Sequence, residues 1–352
     1  MKTDIVFIDQ TLSYALENQY VDSSACSHVK EKLAALAPVL FDLTLAAYAV
    51  VMHADGMGTE NIRVGVRPAA DEVDRAYLLG CRQIKMGLSY QEVKTLPAAV
   101  KEALRLAEAR QMTVALHIAG CCRYSASGLY QIARLVRIYN NITSFVVDDR
   151  QGELDPMVTY RTLRSLKREI PCGVEYYGNN SKGLAAGNAL SAIRSGIGHI
   201  AVACGGVGGY PALEEVLMGA RYLLKLPLTV PENMAACCAE ILKYVGQRVH
   251  TTKPIIGSNI FAHESGIHVD GVNKKSDLYE PFTPETVGLP RKIIIGKHSG
   301  KAAIEMKLKE MSIVIQPAVV PLILEKVRAL AIGQKAPVSD QQLQKLVCEA
   351  AS

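Results

Sequence analysis

Eight short apolar or β-branched segments recur along the first two thirds of the chain, each separated from the next by an amphipathic stretch. They start at residues 5, 39, 62, 83, 113, 144, 172 and 199, and intervals of roughly 20 to 35 residues fit strands that alternate with helices. This pattern predicts a (β/α)8 TIM barrel, because a doubly wound sheet usually ends near six strands. We therefore expect the functional residues at the carboxyl ends of the strands.

The strand–helix rhythm stops after residue 227. A helical pattern at 232–249, an irregular stretch at 251–290, one strand at 292–295 and three further helical patterns follow. We predict a barrel at 1–227 and a mostly helical subdomain at 228–352. An irregular stretch of this length is typical of a lid or a binding loop.

Composition excludes several classes of protein. Of the 352 residues, 49% are hydrophobic and 21% charged, which disfavours disordered, collagenous and fibrous chains. The net charge of +5 is spread along the chain, and its densest basic stretch, at 161–168, has the spacing of a solvated helix face. We expect no nucleic-acid partner.

Cysteine usage and the amino terminus predict a cytoplasmic protein. Nine cysteines without a C-x-x-C motif favour reduced thiols over a disulfide or zinc framework. The first residues lack the apolar segment of a signal peptide. Pro38 and Asp42 interrupt the apolar stretch at 33–52, so we interpret it as a helix end, a strand and the next helix rather than a membrane span.

Polar side chains near the strand ends are the candidates for chemistry. Each alone also fits a hydrogen-bonded barrel residue or a loop cap, and a buried lysine among them can form a Schiff base. The glycine-rich loop at 204–211 fits a phosphate site or a tight turn. The strand-end candidates are Asp9, Asp42, Lys85, His117, Asp148, Asp149 and Glu175.

The subdomain carries the motif FAHESGIHVDG at 261–271, followed by YEPF at 279–282 and IIIGKHSG at 293–300. Its histidines and carboxylates fit metal binding, proton transfer or a structural role. These motifs closely resemble the C-terminal subdomain of nitrogen-fixation-type homocitrate synthase, in the 2-isopropylmalate synthase and homocitrate synthase family (DRE-TIM metallolyases). The resemblance is nearly continuous over 259–301, and patchier but co-linear over 4–225.

The resemblance implies a metal-dependent acyltransferase. In the family, a divalent metal (Mg, Mn or Zn) on the barrel holds a 2-oxoacid such as 2-oxoglutarate, and the enolate of acetyl-CoA attacks it. The C-terminal subdomain is a lid and dimerisation element that reaches the barrel of the neighbouring subunit. His268 and Tyr279 match the family's catalytic lid residues, so we predict both as catalytic.

The same resemblance implies that the metal site is lost. Tyr14 stands at the aspartate ligand, Tyr177 and Asn179 stand at the two histidine ligands, and Tyr210 stands at the asparagine position. Neutral phenols are poor ligands for hard cations. We expect these bulky side chains to fill the barrel mouth, which is the space at the carboxyl ends of the strands. We therefore expect no cofactor bound to this barrel.

Substrate-binding positions are partly kept. Arg123 matches the family's arginine after strand five, whereas Asp42 replaces a glutamate and Ser13 replaces the catalytic arginine. With Thr11, these are our candidates for binding substrate.

Three hypotheses follow. The first is a subunit that forms a homo- or hetero-oligomer with an active homocitrate synthase-like chain and lends it His268 and Tyr279. The second is a regulatory pseudoenzyme whose barrel holds an effector. The third is a metal-independent aldolase or lyase that uses Lys85, His117, Asp149 or Glu175.

Overall fold

Eight parallel strands close into a barrel in chain order, with β8 pairing back onto β1. The protein is represented by a computed structural model, which describes residues 5–52, 58, 60–118, 126–264 and 280–351. The predicted TIM barrel is confirmed. Its strands are β1 Val6–Asp9, β2 Val39–Thr44, β3 Ile62–Val66, β4 Gln83–Leu88, β5 Thr113–Ile118, β6 Ile142–Asp148, β7 Gly173–Tyr177 and β8 His199–Val202.

Helices follow the strands and cover the outside of the barrel. Local signals in the sequence determine where several helices start. Ser89 and Glu92 form a capping box at one start. At another, Asp155 precedes Pro156 and its carboxylate accepts hydrogen bonds from two backbone N–H groups of the first helical turn. The helices of this unit are α1 Thr11–Glu17, α2 Ser23–Leu36, α3 Leu45–Val51, α4 Ala70–Leu78, α5 Tyr90–Thr95, α6 Ala98–Ala109, α7 Ala126–Ile138, α8 Pro156–Glu169, α9 Ala185–Arg194, α10 Leu213–Tyr222 and α11 Met234–Tyr244.

The barrel interior is a packed core rather than a pore. Side chains of a strand alternate between its two faces, and one interior cluster joins Ile8, Ala115, Val146, Tyr177 and Ala201 from five strands. This cluster fills part of the barrel interior. Asp42, Arg63 and Glu175 are buried as well.

The chain divides into two compact units, Met1–Val249 and His250–Ser352. The predicted boundary at residue 227 lies one helix earlier. That helix, α11, contacts α2 and the loop after β8, and it buries Cys238 and Ile241 completely. Packing therefore groups α11 with the barrel.

The second unit has its own apolar core, built from buried residues between Ile293 and Val347. Two short strands, β9 Ala262–His263 and β10 Lys292–Ile293, pair in parallel. The three predicted helices are present as α12 Lys301–Glu310, α13 Val320–Gln334 and α14 Asp340–Ala351. In the described part of the chain, no helix is both long and apolar enough to cross a membrane.

Candidate functional site

Two cations hold the Asp42 carboxylate near the carboxyl end of the barrel. The register of β2 and β3 pairs Asp42 with Arg63, whose Nε lies 3.3 Å from Asp42 Oδ1. Lys85 on β4 forms an ion pair with Asp42 Oδ2. The Tyr177 hydroxyl on β7 donates a 2.6 Å hydrogen bond to the same oxygen. Four strands thus converge on one carboxylate.

Arg63 extends this network to a second carboxylate. Its Nη1 lies 2.7 Å from Glu175 Oε1, and its Nη2 donates to the Tyr177 hydroxyl at 2.7 Å. Ser144 donates to the same Glu175 oxygen at 2.6 Å. Two carboxylates balance two cations, so the charges of this network are paired where burial makes an unpaired charge costly.

The network fixes the protonation of its acids. Burial acts to raise the pKa of Asp42, but the charges of Lys85 and Arg63 outweigh it and hold the pKa well below its usual range. Burial also acts against ionisation of Glu175, yet Arg63 lowers its pKa. Burial raises the pKa of Tyr177 well above its ordinary value. At neutral pH, both carboxylates are therefore ionised and the phenol is a hydrogen-bond donor.

A cavity of about 660 Å³ opens above the network. This volume lies within the range of small-molecule sites. The expected filling of the mouth by phenols is wrong, because Tyr177 lies buried in the barrel, whereas Tyr14 and Tyr210 form part of the cavity wall. Other residues of the wall are Ser13, Asp42, Lys85 and His117.

A histidine on the cavity wall is held by a carboxylate. His117 Nε2 lies 2.9 Å from Asp148 Oδ2, and Arg150 Nη2 lies 3.1 Å from the same oxygen. The imidazole stacks on the Tyr177 ring with a centroid distance of 6.2 Å. A carboxylate that orients a histidine is the arrangement used for proton transfer.

The described residues of the mouth do not fit a catalytic divalent metal. Asp42 and Tyr177 are bonded to each other and to cations, and Asn179 Oδ1 accepts a 2.8 Å hydrogen bond from the Ser181 N–H outside the cavity wall. Within the described ranges, the only group of three or more potential ligand side chains that lie close together is elsewhere in the barrel unit.

Other predicted site residues have local structural contacts. Thr11 is fully buried, and its hydroxyl accepts a 2.8 Å bond from the Cys204 N–H, so it lies outside the cavity wall. Asp149 accepts the N–H groups of Glu153 and Leu154 and caps its loop. Three further predictions, His268, Tyr279 and Arg123, lie outside the described residues.

Asp9, the last residue of β1, also has a structural contact. Its Oδ2 accepts a 2.9 Å hydrogen bond from the Leu12 N–H. Burial raises the pKa of Asp9 to about 6, despite the hydrogen bonds that act to lower it. The side chain is therefore a poorly solvated carboxyl beside the mouth rather than part of its wall.

The glycine-rich loop fits a tight turn better than a phosphate site. Gly205 and Gly206 have φ angles of 64° and 77°, a conformation that glycine adopts without strain. The Gly205 N–H donates to Glu214 Oε2 at 3.0 Å. Glu214 and Glu215 occupy the first turn of α10, where their charges oppose a bound anion.

Sequence reasoning missed Arg63, which connects the two carboxylates. The available signal was a charged residue inside the apolar strand IRVGV, next to the strand that carries Asp42. A buried arginine on a barrel strand requires a carboxylate partner. That rule applied to neighbouring strands would have placed Arg63 with Asp42.

Family models match both parts of the chain. The model described as HMGL-like matches residues 46–235, and the model described as homocitrate synthase post-HMGL domain-like matches residues 255–335.

Three curated relatives show the range of similarity. The 2-isopropylmalate synthase 2 of Caldanaerobacter subterraneus is 36% identical over 70% of this chain and 65% of its own length. Homocitrate synthase 1 of Nostoc sp. is 34% identical over 57% of this chain and 54% of its own length. The 2-phosphonomethylmalate synthase of Streptomyces rubellomurinus is 29% identical over 81% and 80%, respectively. The alignments thus span less than two thirds of the first two relatives.

Solved structures share the barrel at low sequence identity. The HMG-CoA lyase of Brucella melitensis has a TM-score of 0.53 at 11% identity, covering 69% of this chain and 98% of its own. Rhizobium etli pyruvate carboxylase has a TM-score of 0.53 at 14% identity, covering 69% of this chain and 28% of its own. At these identities, the likeness shows the fold alone.

Proposed function

This chain belongs to the HMGL-like family, and from that premise we propose that it is a homocitrate synthase-like acyltransferase subunit. The reaction is the Claisen condensation of acetyl-CoA with a 2-oxoacid, of which 2-oxoglutarate is our candidate. In this proposal, the chain pairs with an active relative and its own barrel is mainly a scaffold. Its nitrogen-fixation type and its cytoplasmic location belong to the same proposal.

The observation that carries the proposal is that Tyr177, which stands at a metal-ligand position of the family, is hydrogen-bonded to both Asp42 and Arg63. A neutral phenol held by these two groups is poorly suited to bind a divalent ion as well. Catalysis of the family's reaction then requires a second barrel whose metal ligands are intact. The names of the curated relatives support the reaction class but leave this division of labour open.

The lid supplies the contribution of this chain. We assign His268 to the removal of a proton from the acetyl methyl group, because histidine exchanges protons near neutral pH. We assign Tyr279 to a hydrogen bond that stabilises the enolate oxygen or orients the histidine. We infer both roles from the sequence motifs at 261–271 and 279–282.

The test is thiol release from acetyl-CoA with 2-oxoglutarate and added Mg²⁺, Mn²⁺ or Zn²⁺. The chain alone, an intact relative alone and the two co-expressed are compared. We expect turnover in the mixture that exceeds the turnover of either chain alone. His268→Ala in this chain should abolish this increase. His250→Ala is the matched control, since His250 is an exposed histidine of the same unit. Turnover by this chain alone would contradict the proposal.

A second candidate function is a metal-free binding barrel, and the open cavity favours it. Lys85 and His117 face a space of about 660 Å³ that the phenols leave open, which suits a small-molecule effector. Schiff-base chemistry is less favoured, because Lys85 is ion-paired with an ionised carboxylate and the reaction needs a neutral amine.

Thermal unfolding with 2-oxoacids, acyl-CoAs and amino acids tests this candidate. A ligand that binds only the folded form raises the melting temperature. We expect the shift in the wild-type chain and its loss in Lys85→Met. Borohydride trapping with a 2-oxoacid distinguishes the two roles of Lys85, since only a Schiff base leaves a covalent adduct. A chain that no ligand stabilises argues against the binding barrel.

A further inference from the structure

A buried group of two thiols and one carboxylate lies apart from the cavity wall. Cys204 begins the glycine-rich turn Cys204–Gly209 after β8, Glu214 lies in the first turn of α10, and Cys238 lies in α11. Their ligand atoms are all within 4.8 Å of one another. The three residues are 0%, 1% and 0% exposed.

The surroundings of this group are acidic. Cys204 lies close to the Cys238 thiol and the Glu214 carboxylate. Asp9 is itself fully buried, and its Oδ1 accepts no hydrogen bond from the described residues. Buried acids of this kind are neutralised either by protons or by a metal ion.

We propose that Cys204, Cys238 and Glu214 bind one Zn²⁺ ion. Zinc accepts thiolate sulfur and carboxylate oxygen in one tetrahedral site, whereas magnesium and calcium require oxygen ligands. Binding converts both thiols to thiolates and releases two protons to solvent.

The backbone holds the carboxylate of this site. Glu214 Oε2 accepts the Gly205 N–H at 3.0 Å, which fixes the orientation of the group as outer partners of metal ligands commonly do. The Cys204 N–H donates to the Thr11 hydroxyl at 2.8 Å, which fixes the start of the loop. The backbone that carries two of the three ligands is therefore ordered by contacts independent of the metal.

The site would join α11 to the glycine-rich loop, whose later residues Gly208 and Tyr210 line the mouth cavity. Its role is structural, because the ligands are closed to solvent. It differs from the family's catalytic metal in ligands and in place, and it does not depend on the proposed function. Such a buried ion is incorporated as the chain folds.

The first experiment is a metal analysis of the full chain, expressed in zinc-supplemented medium and dialysed against EDTA. We expect about one zinc per chain in the wild type, and its loss in Cys204→Ser and Cys238→Ser. Cys237→Ser is the matched control, because Cys237 is the adjacent thiol of α11 but lies near the Lys32 carbonyl oxygen, with its Sγ 3.6 Å away. A zinc-free wild type, or zinc retained by Cys204→Ser, overturns the proposal.

The second experiment uses the wild-type chain alone, in case the serine variants fail to fold. The protein is unfolded under reducing conditions and refolded with EDTA, Zn²⁺ or Co²⁺. We expect a higher melting temperature with zinc, and a thiolate-to-cobalt charge-transfer band in the cobalt form. Equal melting temperatures without such a band, or a Cys204–Cys238 disulfide in zinc-replete protein, overturn the proposal.

Discussion

At Asp42, two neighbouring cations determine what a single carboxylate can do. The side chain of Asp42 is 0% exposed and that of Lys85 is 18% exposed, so their ion pair lies at the border between the barrel interior and the cavity. Ionised Asp42 holds Lys85 at the cavity wall. Because Arg63 also pairs with Asp42 and with Glu175, the network presents paired charges to the cavity.

Lys85→Met should destabilise the barrel moderately. The substitution removes one cation from Asp42, but Arg63 and Tyr177 still contact the carboxylate. We expect the free energy of unfolding at pH 7 to fall by about 1–3 kcal/mol, less than for a fully orphaned buried charge. Urea denaturation measures it, with Lys101→Met on the exposed face of α6 as the control. Equal losses in both variants would contradict the role of the ion pair.

The effect of Lys85→Met should also depend on pH. The pKa of Asp42 in the folded chain lies below its ordinary value of 3.8, so the ion pair stabilises the fold fully above that value and loses its effect as the pH falls. We expect the difference between wild type and variant to be constant from about pH 7 to 5 and to shrink below about pH 4. A difference that grows on acidification would show that another group is responsible.

At the level of elements, the sequence pattern locates strands but not the contacts between them. The segments at 83–88 and 113–118 are β4 and β5 with unchanged bounds, because apolar alternation is a local property of the chain. The Tyr177 to Asp42 hydrogen bond joins residues 135 positions apart. It depends on barrel closure, and no spacing in the sequence encodes it.

The loop between β8 and α10 should be intolerant of side chains at Gly205. A Cβ atom there would lie 2.7 Å from Leu242 Cδ2 of α11, in a backbone conformation with positive φ. We expect Gly205→Ala to lower the free energy of unfolding by about 2–4 kcal/mol through strain and overpacking.

Gly333→Ala is the control for this loop. Gly333 lies in α13, and no heavy atom lies within 4 Å of its added Cβ. Alanine in a helix interior is favourable, so this variant should be neutral or more stable by up to about 1 kcal/mol. Chemical denaturation of both variants provides the comparison, and equal stability would refute the predicted crowding against α11.

For the whole molecule, the division into units follows from where apolar side chains are buried. The core of the second unit uses residues from Ile293 to Val347 only. The end of the strand–helix alternation after residue 227 indicated a second unit, but it could not assign α11 to either unit. The spacing of apolar residues in α11 is that of any amphipathic helix. Its contacts with α2 and with the loop after β8 connect it to the barrel.

Two fragments test this assignment. Residues 1–249 keep α11, whereas residues 1–227 lose it and expose the barrel surface that it covers. The helix buries Met234, Cys238, Ile241 and Leu242. Each large apolar side chain contributes about 1.5–3 kcal/mol on burial, so the loss is comparable to the whole stability of a typical domain.

We expect fragment 1–249 to unfold cooperatively in urea, with the helical circular dichroism of a barrel, and fragment 1–227 to be unfolded or aggregated. Because the second unit has a separate core, its removal should not abolish folding of the first. If 1–227 unfolds at the same urea concentration as 1–249, α11 adds no stability and the sequence boundary is the better one. If neither fragment folds, the barrel depends on residues beyond 249, and the two cores are not independent.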